Sequence, residues 1–346
     1  MSQIETELLI IGAGAAGLAS AYYAKNKIDY IVIEKGESAG TSWLNMPENI
    51  YLLSPWYVNR LPGSKLDKFK IFKQHGCREF GKYLNEYVDQ HGLNVQFNKE
   101  VEKVTESSFG YSILLKDETQ ISCKYLINAT GYFHNPIVPK TNDLKGIPFI
   151  HVQQFQSAEK LSKRFDYQYN NVLVVGSRIS GGQTATELSK HGFQVTVSAR
   201  TPVTFAQEPW LQKLVYLPYY VYEKLLSKVK PKFLEDTSPP MEAGETKKLV
   251  EQRKIKLQPA IKSCEGHKVE FTNGSSDNFD LIIYCTGFGY VDEHLKALSS
   301  TSENNTGAQT LFFMGKDLEY TARSRYLRGI REDAKKVINM ILKLKS

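Results

Sequence analysis

Residues 8–17 read LLIIGAGAAG, an apolar run that leads directly into a glycine turn. The residues that follow, up to Ala24, have a helical pattern, and a second apolar run from Tyr30 to Ile33 ends at Glu34. Short continuous apolar runs joined through a helix are typical of buried parallel strands in a βαβ unit. This stretch therefore predicts an α/β fold that begins with such a unit.

The glycine spacing Gly12-x-Gly14-x-x-Gly17 is the spacing that a bound dinucleotide requires. The first glycine makes the tight turn, the second lets the backbone approach a pyrophosphate, and the third allows the helix to pack closely on the strand. The helix N-terminus attracts phosphate, and Glu34 has the spacing of a carboxylate that accepts hydrogen bonds from ribose hydroxyls. An acid there favours FAD or NAD; a glycine-rich turn without a ligand is the structural alternative.

A second unit of the same kind starts at Val172, where a run to Val175 leads into the turn Gly176–Gly181. Here Arg178 replaces the middle glycine, and it would either crowd the phosphates or clamp them from outside. Arg200 ends the second strand of this unit, where Glu34 ends that of the first. A guanidinium suits the 2′-phosphate of NADPH, although a solvated charge at a strand end is the alternative. An enzyme with two such sites usually holds FAD first and the nicotinamide nucleotide second.

A third feature also occurs twice, as an apolar strand that runs into a Thr-Gly turn at 126–131 and again at 282–287. Together the repeated features predict two nested Rossmann-like dinucleotide-binding domains, one for FAD and one for NADPH. The FAD domain is expected over 1–165, the NADPH domain over 166–284, and the FAD domain is completed by 285–346.

Composition and charge exclude several other classes of protein. The chain has 346 residues and a net charge of +7, from 44 basic and 37 acidic residues. The basic residues are scattered, so no nucleic-acid partner is expected. No apolar run approaches the length that spans a bilayer, and the acidic N-terminus does not resemble a signal peptide. The four cysteines are far apart without a CxxC pair, which predicts neither a disulfide framework nor a metal site and favours a cytoplasmic location. The sequence leaves open whether the protein forms a homodimer.

The motifs as a set resemble those of the flavin-containing monooxygenase superfamily, which includes the Baeyer–Villiger enzymes. The resemblance covers nearly the whole chain, and the chain is similar in length to short bacterial members of the family. It rests on Gly12–Gly17, Glu34, Gly40-Thr-Ser-Trp43, Asn128-Ala-Thr-Gly131 with Pro136 and Pro139, Gly176-Ser-Arg-Ile-Ser180 and Ser198-Ala-Arg-Thr-Pro202.

The resemblance implies which residues hold the two cofactors. For FAD these are Gly12, Gly14, Ala16, Gly17, Glu34, Lys35, Trp43, Ser54, Val101, Ala129, Thr130 and Gly131. For NADPH these are Gly176, Ser177, Ser180, Gly181 and Arg200. Thr286 and Gly287 of the second Thr-Gly turn are also expected to bind a cofactor. It also implies a flavin C4a-hydroperoxide as the oxidant, formed after NADPH reduces FAD and O2 adds.

One departure from the family pattern affects the predicted catalytic residue. Family members that oxygenate amines have an Asn near the flavin after a Tyr-Leu-x-Ser segment, whereas here Tyr51-Leu52-Leu53-Ser54 is followed by Pro55. Asn59 is the nearby candidate for stabilising the peroxide, and a turn or capping residue is the alternative. His151 is expected to form hydrogen bonds at the domain junction, not to act as an acid–base catalyst.

These features predict an NADPH-dependent FAD monooxygenase that inserts one oxygen atom from O2 into a small lipophilic substrate. Sulfoxidation, N-oxygenation and Baeyer–Villiger oxidation all stay open. The alternatives are an NADPH-dependent flavin reductase or oxidase, which the missing CxxC disfavours in its thiol form, and a non-catalytic FAD-binding redox sensor. Five aromatic residues are expected either to line a substrate pocket or to pack as a helical face, namely Trp210, Tyr216, Tyr219, Tyr220 and Tyr222.

Overall fold

The computed structural model describes residues 3–65, 73–139, 146–164, 170–206, 218–227, 240–241, 244–299 and 310–346. In these ranges the chain forms two sheets built around parallel strands, a small antiparallel sheet and surrounding helices. The strands are β1 (Gln3–Ile11), β2 (Tyr30–Ile33), β3 (Val95–Gln96), β4 (Val101–Ser107), β5 (Gly110–Leu115), β6 (Gln120–Asn128), β7 (Phe149–His151), β8 (Asn171–Val175), β9 (Gln194–Ser198), β10 (Ile255–Gln258), β11 (Ile261–Glu265), β12 (Lys268–Phe271), β13 (Ser276–Asn278), β14 (Leu281–Tyr284) and β15 (Leu311–Phe313). The helices are α1 (Ala15–Ala24), α2 (Thr41–Leu44), α3 (Trp56–Asn59), α4 (Cys77–His91), α5 (Ala158–Arg164), α6 (Ile179–Lys190), α7 (218–227), α8 (Gly244–Glu251), α9 (Lys296–Ser299) and α10 (Leu327–Lys345).

The first sheet has the strand order β3-β2-β1-β6-β5-β4, and β15 adds to it by pairing with β6. Strand β1 pairs in parallel with β2 and β6. The apolar run of β1 is buried on both faces: Leu8 and Ile10 pack in a core with α1 and α10, whereas Leu9 and Ile11 pack in a second core on the opposite face. Burial on both faces explains why the run is continuous and not alternating.

The second sheet has the order β10-β9-β8-β14-β7, and all of its strand pairs are parallel. Its central strand β8 is buried in the same way as β1, because Val172 and Val174 face one core and Leu173 faces another. The antiparallel sheet β11-β12-β13 precedes β14 in the chain and packs Val269 and Phe271 against that second core. The predicted α/β class with two parallel nucleotide-type units is confirmed.

The chain leaves the first sheet after β6, builds the second sheet from β7 to β14, and returns to the first sheet as β15. Strand β7 at Phe149–His151 pairs with β14 of the second sheet, so the second sheet begins ahead of the boundary expected at residue 165. The exact limits 1–165, 166–284 and 285–346 stay predictions. Within the described ranges, no helix is both long and apolar enough to cross a membrane.

Candidate dinucleotide and substrate site

A cavity of about 1680 Å³ lies where strands of the two sheets end. Its lining includes the residues that directly follow the carboxyl ends of β1, β6, β8 and β14, namely Gly12, Ala129, Gly176 and Cys285. In open parallel sheets, ligands bind in the crevice beyond the carboxyl ends of the strands. The fold therefore brings both predicted nucleotide units to one cavity.

The first glycine turn is shaped by close backbone contacts. Gly12 has a φ of +104°, a left-handed conformation that favours glycine. A Cβ on Gly17 would lie 1.8 Å from the carbonyl oxygen of Gly12, so a side chain there would force the helix away from the strand. A Cβ on Gly14 would meet no atom within 4 Å. Gly14 is the N-cap of α1, and its open side faces space that a phosphate group can occupy.

Glu34 is buried at the end of β2 and braces the first turn. Its Oε2 accepts a hydrogen bond of 2.8 Å from the Ala13 backbone N–H, and its Oε1 accepts one of 2.9 Å from Gly36. Glu34 is 8% exposed and lines the cavity. Because an ionised carboxylate can accept about four hydrogen bonds, two acceptor positions are left for the hydroxyls of a ribose.

The second glycine turn has nearly the same geometry without its middle glycine. A Cβ on Gly181 would lie 2.1 Å from the Gly176 carbonyl oxygen, which is the contact that Gly17 makes in the first turn. Arg178 takes the place of Gly14 as N-cap of the following helix, with a φ of −104° against −80° for Gly14. Both values are ordinary for any residue, so arginine fits without backbone strain. Arg178 lines the cavity.

The two Thr-Gly turns are tied to each other's flanking chain. The Thr130 hydroxyl donates a hydrogen bond of 2.6 Å to the carbonyl of Val291, beyond the second turn. The Thr286 hydroxyl donates to the carbonyl of Ile137, beyond the first turn. Gly131 and Gly287 both have positive φ and open Cβ positions, so each strand ends in a sharp turn against the cavity. These reciprocal bonds hold together the two segments in which the chain crosses between the sheets.

The structure brings nearly all predicted cofactor residues to the cavity. The exceptions are Gly17 and Gly181, which are buried in the helix–strand contacts just described. The predicted residues that line it are Gly12, Gly14, Ala16, Glu34, Lys35, Trp43, Ser54, Val101, Ala129, Thr130, Gly131, Gly176, Ser177, Ser180, Arg200, Thr286 and Gly287.

Asn59, the predicted catalytic residue, is not among the residues that line the cavity. It is 1% exposed, and both ends of its amide are bonded to Ser54. The Ser54 hydroxyl donates to Asn59 Oδ1 at 2.7 Å, while Asn59 Nδ2 donates to the Ser54 carbonyl at 2.7 Å. In this arrangement Asn59 holds the loop after Ser54, which is the capping alternative of the sequence analysis. Ser54 itself faces the cavity.

Two histidines, His134 in the cavity lining and His151 beside it, are held by hydrogen bonds. His151 is buried at the junction: its Nδ1 accepts from the Gln153 N–H at 3.2 Å, and its Nε2 lies 3.2 Å from the Gly287 carbonyl. That set of partners requires the proton on Nε2. His134 lies 2.8 Å from the Ser42 hydroxyl, and burial together with the Lys35 charge lowers its pKa to about 4. Both rings are therefore neutral near pH 7.

One wall of the cavity is formed by α7 and by the residues before and at the start of α10. Of the aromatic residues expected either to line a pocket or to pack as a helical face, Tyr219 and Tyr220 line this wall and Tyr222 is exposed, while Trp210 and Tyr216 lie outside the described residues. The sequence did not predict that Glu223 and residues 325–328 complete the wall. No local motif marks this wall, because its two parts are about a hundred residues apart. His134 lies three residues after Gly131 of the first Thr-Gly turn, so its place at the cavity could have been found from that spacing. The residues of this wall are Tyr219, Tyr220, Glu223, Arg325, Tyr326 and Arg328.

The cysteines at the cavity are poor nucleophiles. All four cysteines of the chain are free, and Cys77 and Cys285 line the cavity. Burial raises the pKa of each of these two thiols to about 12. Since the thiolate is the reactive form, neither thiol is activated near neutral pH. In the part of the chain that the structure describes, no group of three or more His, Cys, Asp or Glu residues is arranged to hold a metal ion.

Comparison with known proteins places this site in a family context. The profile of the family described as pyridine nucleotide-disulphide oxidoreductase matches residues 9–312. The chain is 27% identical over 357 residues to the uncharacterized oxidoreductase CzcO of Bacillus velezensis, covering 97% of this chain and 99% of that protein. In fold it is similar to a flavin-containing monooxygenase from Stenotrophomonas maltophilia, with a TM-score of 0.79, 18% identity, and coverage of 99% and 100%.

A reductase is a second structural neighbour, and its match also covers the whole chain. The bacillithiol disulfide reductase Bdr from Staphylococcus aureus has a TM-score of 0.73 and 21% identity, and the match covers 100% of both chains. The predicted two-dinucleotide-binding flavoprotein fold and the resemblance to flavin monooxygenases are confirmed by these comparisons.

Proposed function

The chain belongs to the pyridine nucleotide-disulphide oxidoreductase family, and on this premise we propose that it is an NADPH-dependent FAD monooxygenase. The observation that carries the proposal is the meeting of two glycine turns of matching geometry at one cavity. A single nucleotide needs one such turn, whereas electron transfer between two bound dinucleotides needs both to open into the same space. The substrate proposed is a small lipophilic compound that receives one oxygen atom from O2.

The first unit fits FAD. Gly14 leaves space for the pyrophosphate at the N-terminus of α1, and Glu34 has acceptor capacity for ribose hydroxyls. Trp43 lines the same cavity and is fixed edge-on by Phe80 and Phe133, at ring-centroid distances of 4.9 and 5.2 Å. An indole fixed in this way can flank a planar ring system without losing much side-chain freedom. FAD, when bound, supplies the redox chemistry, namely acceptance of hydride and reaction with O2.

The second unit fits NADPH through two arginines. Arg178 is the N-cap of α6 and lines the cavity, and Arg200 is an exposed cavity residue beyond the end of β9. A guanidinium recognises a phosphate bidentately, which favours the 2′-phosphorylated nucleotide. We assign Arg200 to the 2′-phosphate and Arg178 to the pyrophosphate. The chain between the sheets, held by Thr130 and Thr286, positions the two nucleotides relative to each other.

A reductase is the second candidate, favoured by the structural similarity to bacillithiol disulfide reductase. Its thiol version is opposed by the buried Cys77 and Cys285, whose raised pKa values keep them protonated. A flavin reductase or oxidase that uses no protein thiol is compatible with the same cavity. A redox sensor that holds FAD without turnover is the third candidate.

The test is the fate of the electrons taken from NADPH. The purified chain is first loaded with FAD. NADPH and a simple thioether are then added in air. The NADPH consumed and the sulfoxide and hydrogen peroxide formed are measured in the same sample. A monooxygenase forms sulfoxide in proportion to NADPH. Consumption that yields only hydrogen peroxide with thioethers, ketones and amines alike would move the assignment to an oxidase or reductase, and absence of consumption would leave a sensor.

A variant pair separates the two nucleotide sites in the same assay. Arg200→Ala is expected to slow flavin reduction by NADPH but to leave bound FAD in place. Glu34→Ala is expected to lose FAD from the purified protein. If both variants behaved like the wild type, the two units would not be the cofactor sites.

A further inference from the structure

A buried ion pair joins α7 to the start of α10 in the wall of the cavity that neither glycine turn explains. Glu223 of α7 is 2% exposed, and its two oxygens accept hydrogen bonds of 2.8 Å each from Nε and a terminal nitrogen of Arg328. Arg323 adds a second cation, with its Nε 3.5 Å from the same carboxylate. A bidentate pair of this kind fixes orientation as well as distance.

The Arg328 guanidinium is paired with Glu223 and flanked by two tyrosine rings. Its guanidinium carbon lies 5.6 Å from the Tyr220 ring centre and 4.0 Å from that of Tyr326. Two of its nitrogens are bound to Glu223. The remaining cation of the wall, Arg325, lies 3.3 Å from Asp317 and 5.0 Å above the Tyr132 ring. The wall thus offers aromatic surface with its charges already paired.

We propose that Glu223 sets the charge selectivity of the substrate, by neutralising Arg328 in the wall against which the substrate packs. The inference rests on the proposed function, since it assumes that this wall belongs to the substrate end of the cavity. With the pair intact, the cavity takes uncharged aryl compounds, which pack on Tyr219 and Tyr220. An aryl carboxylate is disfavoured, because it loses hydration and meets a cation that already has a partner.

Two probes that differ by one carboxylate test this selectivity. Methyl phenyl sulfide and 4-(methylthio)benzoate are titrated into the purified full chain, and binding is followed by calorimetry, which requires no turnover. The wild type is expected to bind the uncharged probe at least about tenfold more tightly. Equal binding of the two probes, or binding of neither, would overturn the proposal, while the NADPH assay above would be unaffected.

Replacement of the carboxylate should reverse the preference. In Glu223→Gln the amide keeps the shape, but Arg328 loses its anion and can bind that of the ligand. The benzoate probe is expected to bind about tenfold more tightly than to the wild type, with the uncharged probe changed by less than about twofold. A purely structural role of Glu223 would weaken both probes or neither. Either of those outcomes would refute the charge-selectivity assignment.

The same two helices provide a matched control. Lys224 of α7 and Glu332 of α10 form an ion pair of 2.7 Å whose side chains are 51% and 42% exposed. Lys224→Met breaks this neighbouring link without touching the cavity, so the preference between the two probes is expected to stay as in the wild type. A shift as large as that of Glu223→Gln would show that any loosening of α7 suffices, and would overturn the role given to Glu223.

A second pair of variants keeps the proposal testable if Glu223→Gln does not fold. Tyr219 lines the cavity, whereas Tyr222 on the same helix is 61% exposed and is not among the lining residues. Tyr219→Ala is expected to weaken binding of methyl phenyl sulfide by about tenfold, and Tyr222→Ala to leave it unchanged. Equal effects of the two substitutions would remove α7 from the substrate wall.

Discussion

The two glycine turns have almost the same backbone but offer different chemistry to a ligand. In each, the third glycine lies too close to the first for any side chain: a Cβ would be 1.8 Å from the Gly12 oxygen at Gly17, and 2.1 Å from the Gly176 oxygen at Gly181. At the middle position, Gly14 is replaced by Arg178 without a change of backbone region. The contact between helix and strand therefore restricts the third position, whereas the middle position is open to selection by the ligand.

The residues that follow the second strand of each unit also differ, in burial and in hydrogen bonding. Glu34 follows β2 directly and is buried, with both oxygens bound to backbone N–H groups of its own unit. Arg200 lies two residues beyond β9 and is exposed. Glu34 is thus part of the architecture of its turn as well as the proposed ribose acceptor, while the role proposed for Arg200 is in nucleotide binding alone. Variants in corresponding positions should therefore affect stability in the first unit and selectivity in the second.

The largest effect is expected at the third glycines. Gly17→Ala places a Cβ in contact with the Gly12 carbonyl and should reduce the free energy of unfolding by at least about 3 kcal/mol, with loss of FAD. Gly181→Ala should reduce the free energy of unfolding of the second unit by a similar amount. This variant should still bind FAD, but NADPH should no longer reduce the flavin. Thermal unfolding and flavin content measure both. Gly14→Ala is the control, because its Cβ has open space: stability should be unchanged, and FAD binding alone should weaken.

The next effect concerns Glu34. Glu34→Ala leaves the buried Ala13 N–H without an acceptor and removes the ribose acceptor, so FAD affinity should fall by about 1.5–3 kcal/mol. Glu34→Gln retains one acceptor oxygen, so its FAD affinity should fall by less than that of Glu34→Ala. Fluorescence titration of apoprotein with FAD gives both values. Affinities equal to the wild type in both variants would mean that the carboxylate only braces the turn.

Selectivity between nucleotides should respond to Arg200. Loss of a charged hydrogen-bonded pair to the 2′-phosphate, about 1.5 kcal/mol, corresponds to roughly a tenfold drop in the preference for NADPH over NADH. Rates of flavin reduction at several concentrations of each nucleotide measure it in Arg200→Ala. Arg178→Ala is the matched control, since the pyrophosphate is common to both nucleotides and both should weaken by the same factor. An unchanged preference in Arg200→Ala would make this arginine a surface charge.

The smallest effect is a pH dependence of stability on the FAD side. The folded-state pKa of His134 is lowered to about 4 by burial and by Lys35, whereas an unfolded histidine titrates near about 6.5. The unfolded chain therefore binds the proton first, and stability should fall as the pH drops from about 6.5 to about 4. His134→Gln should reduce that loss by no more than about 1 kcal/mol, because the ring is partly exposed. Denaturant titrations across this range measure it.

Much of the fold and of the cofactor region could be predicted from the sequence because its signals are local. A run such as LLII followed by Gly-x-Gly-x-x-Gly encodes strand, turn and helix within ten residues, and the second unit encodes them again despite Arg178. The residues predicted from these motifs lie at strand ends, and parallel strands deliver their carboxyl ends to one edge. Local sequence was less informative for Asn59, where proximity to Ser54 did not reveal that the amide points into the loop itself.

By itself, then, the sequence determined the two βαβ units, the third-glycine contacts and the residues at the strand ends, since each depends on neighbours a few positions away. Tertiary structure alone decided the reciprocal bonds of Thr130 and Thr286 and the paired wall of Glu223 and Arg328. Glu223 and Arg328 are 105 positions apart, and they meet where the start of α10, which follows the returning strand β15, contacts α7. No periodicity encodes such a meeting; it follows from packing two sheets around one cavity, where a buried carboxylate is stable only beside its cation.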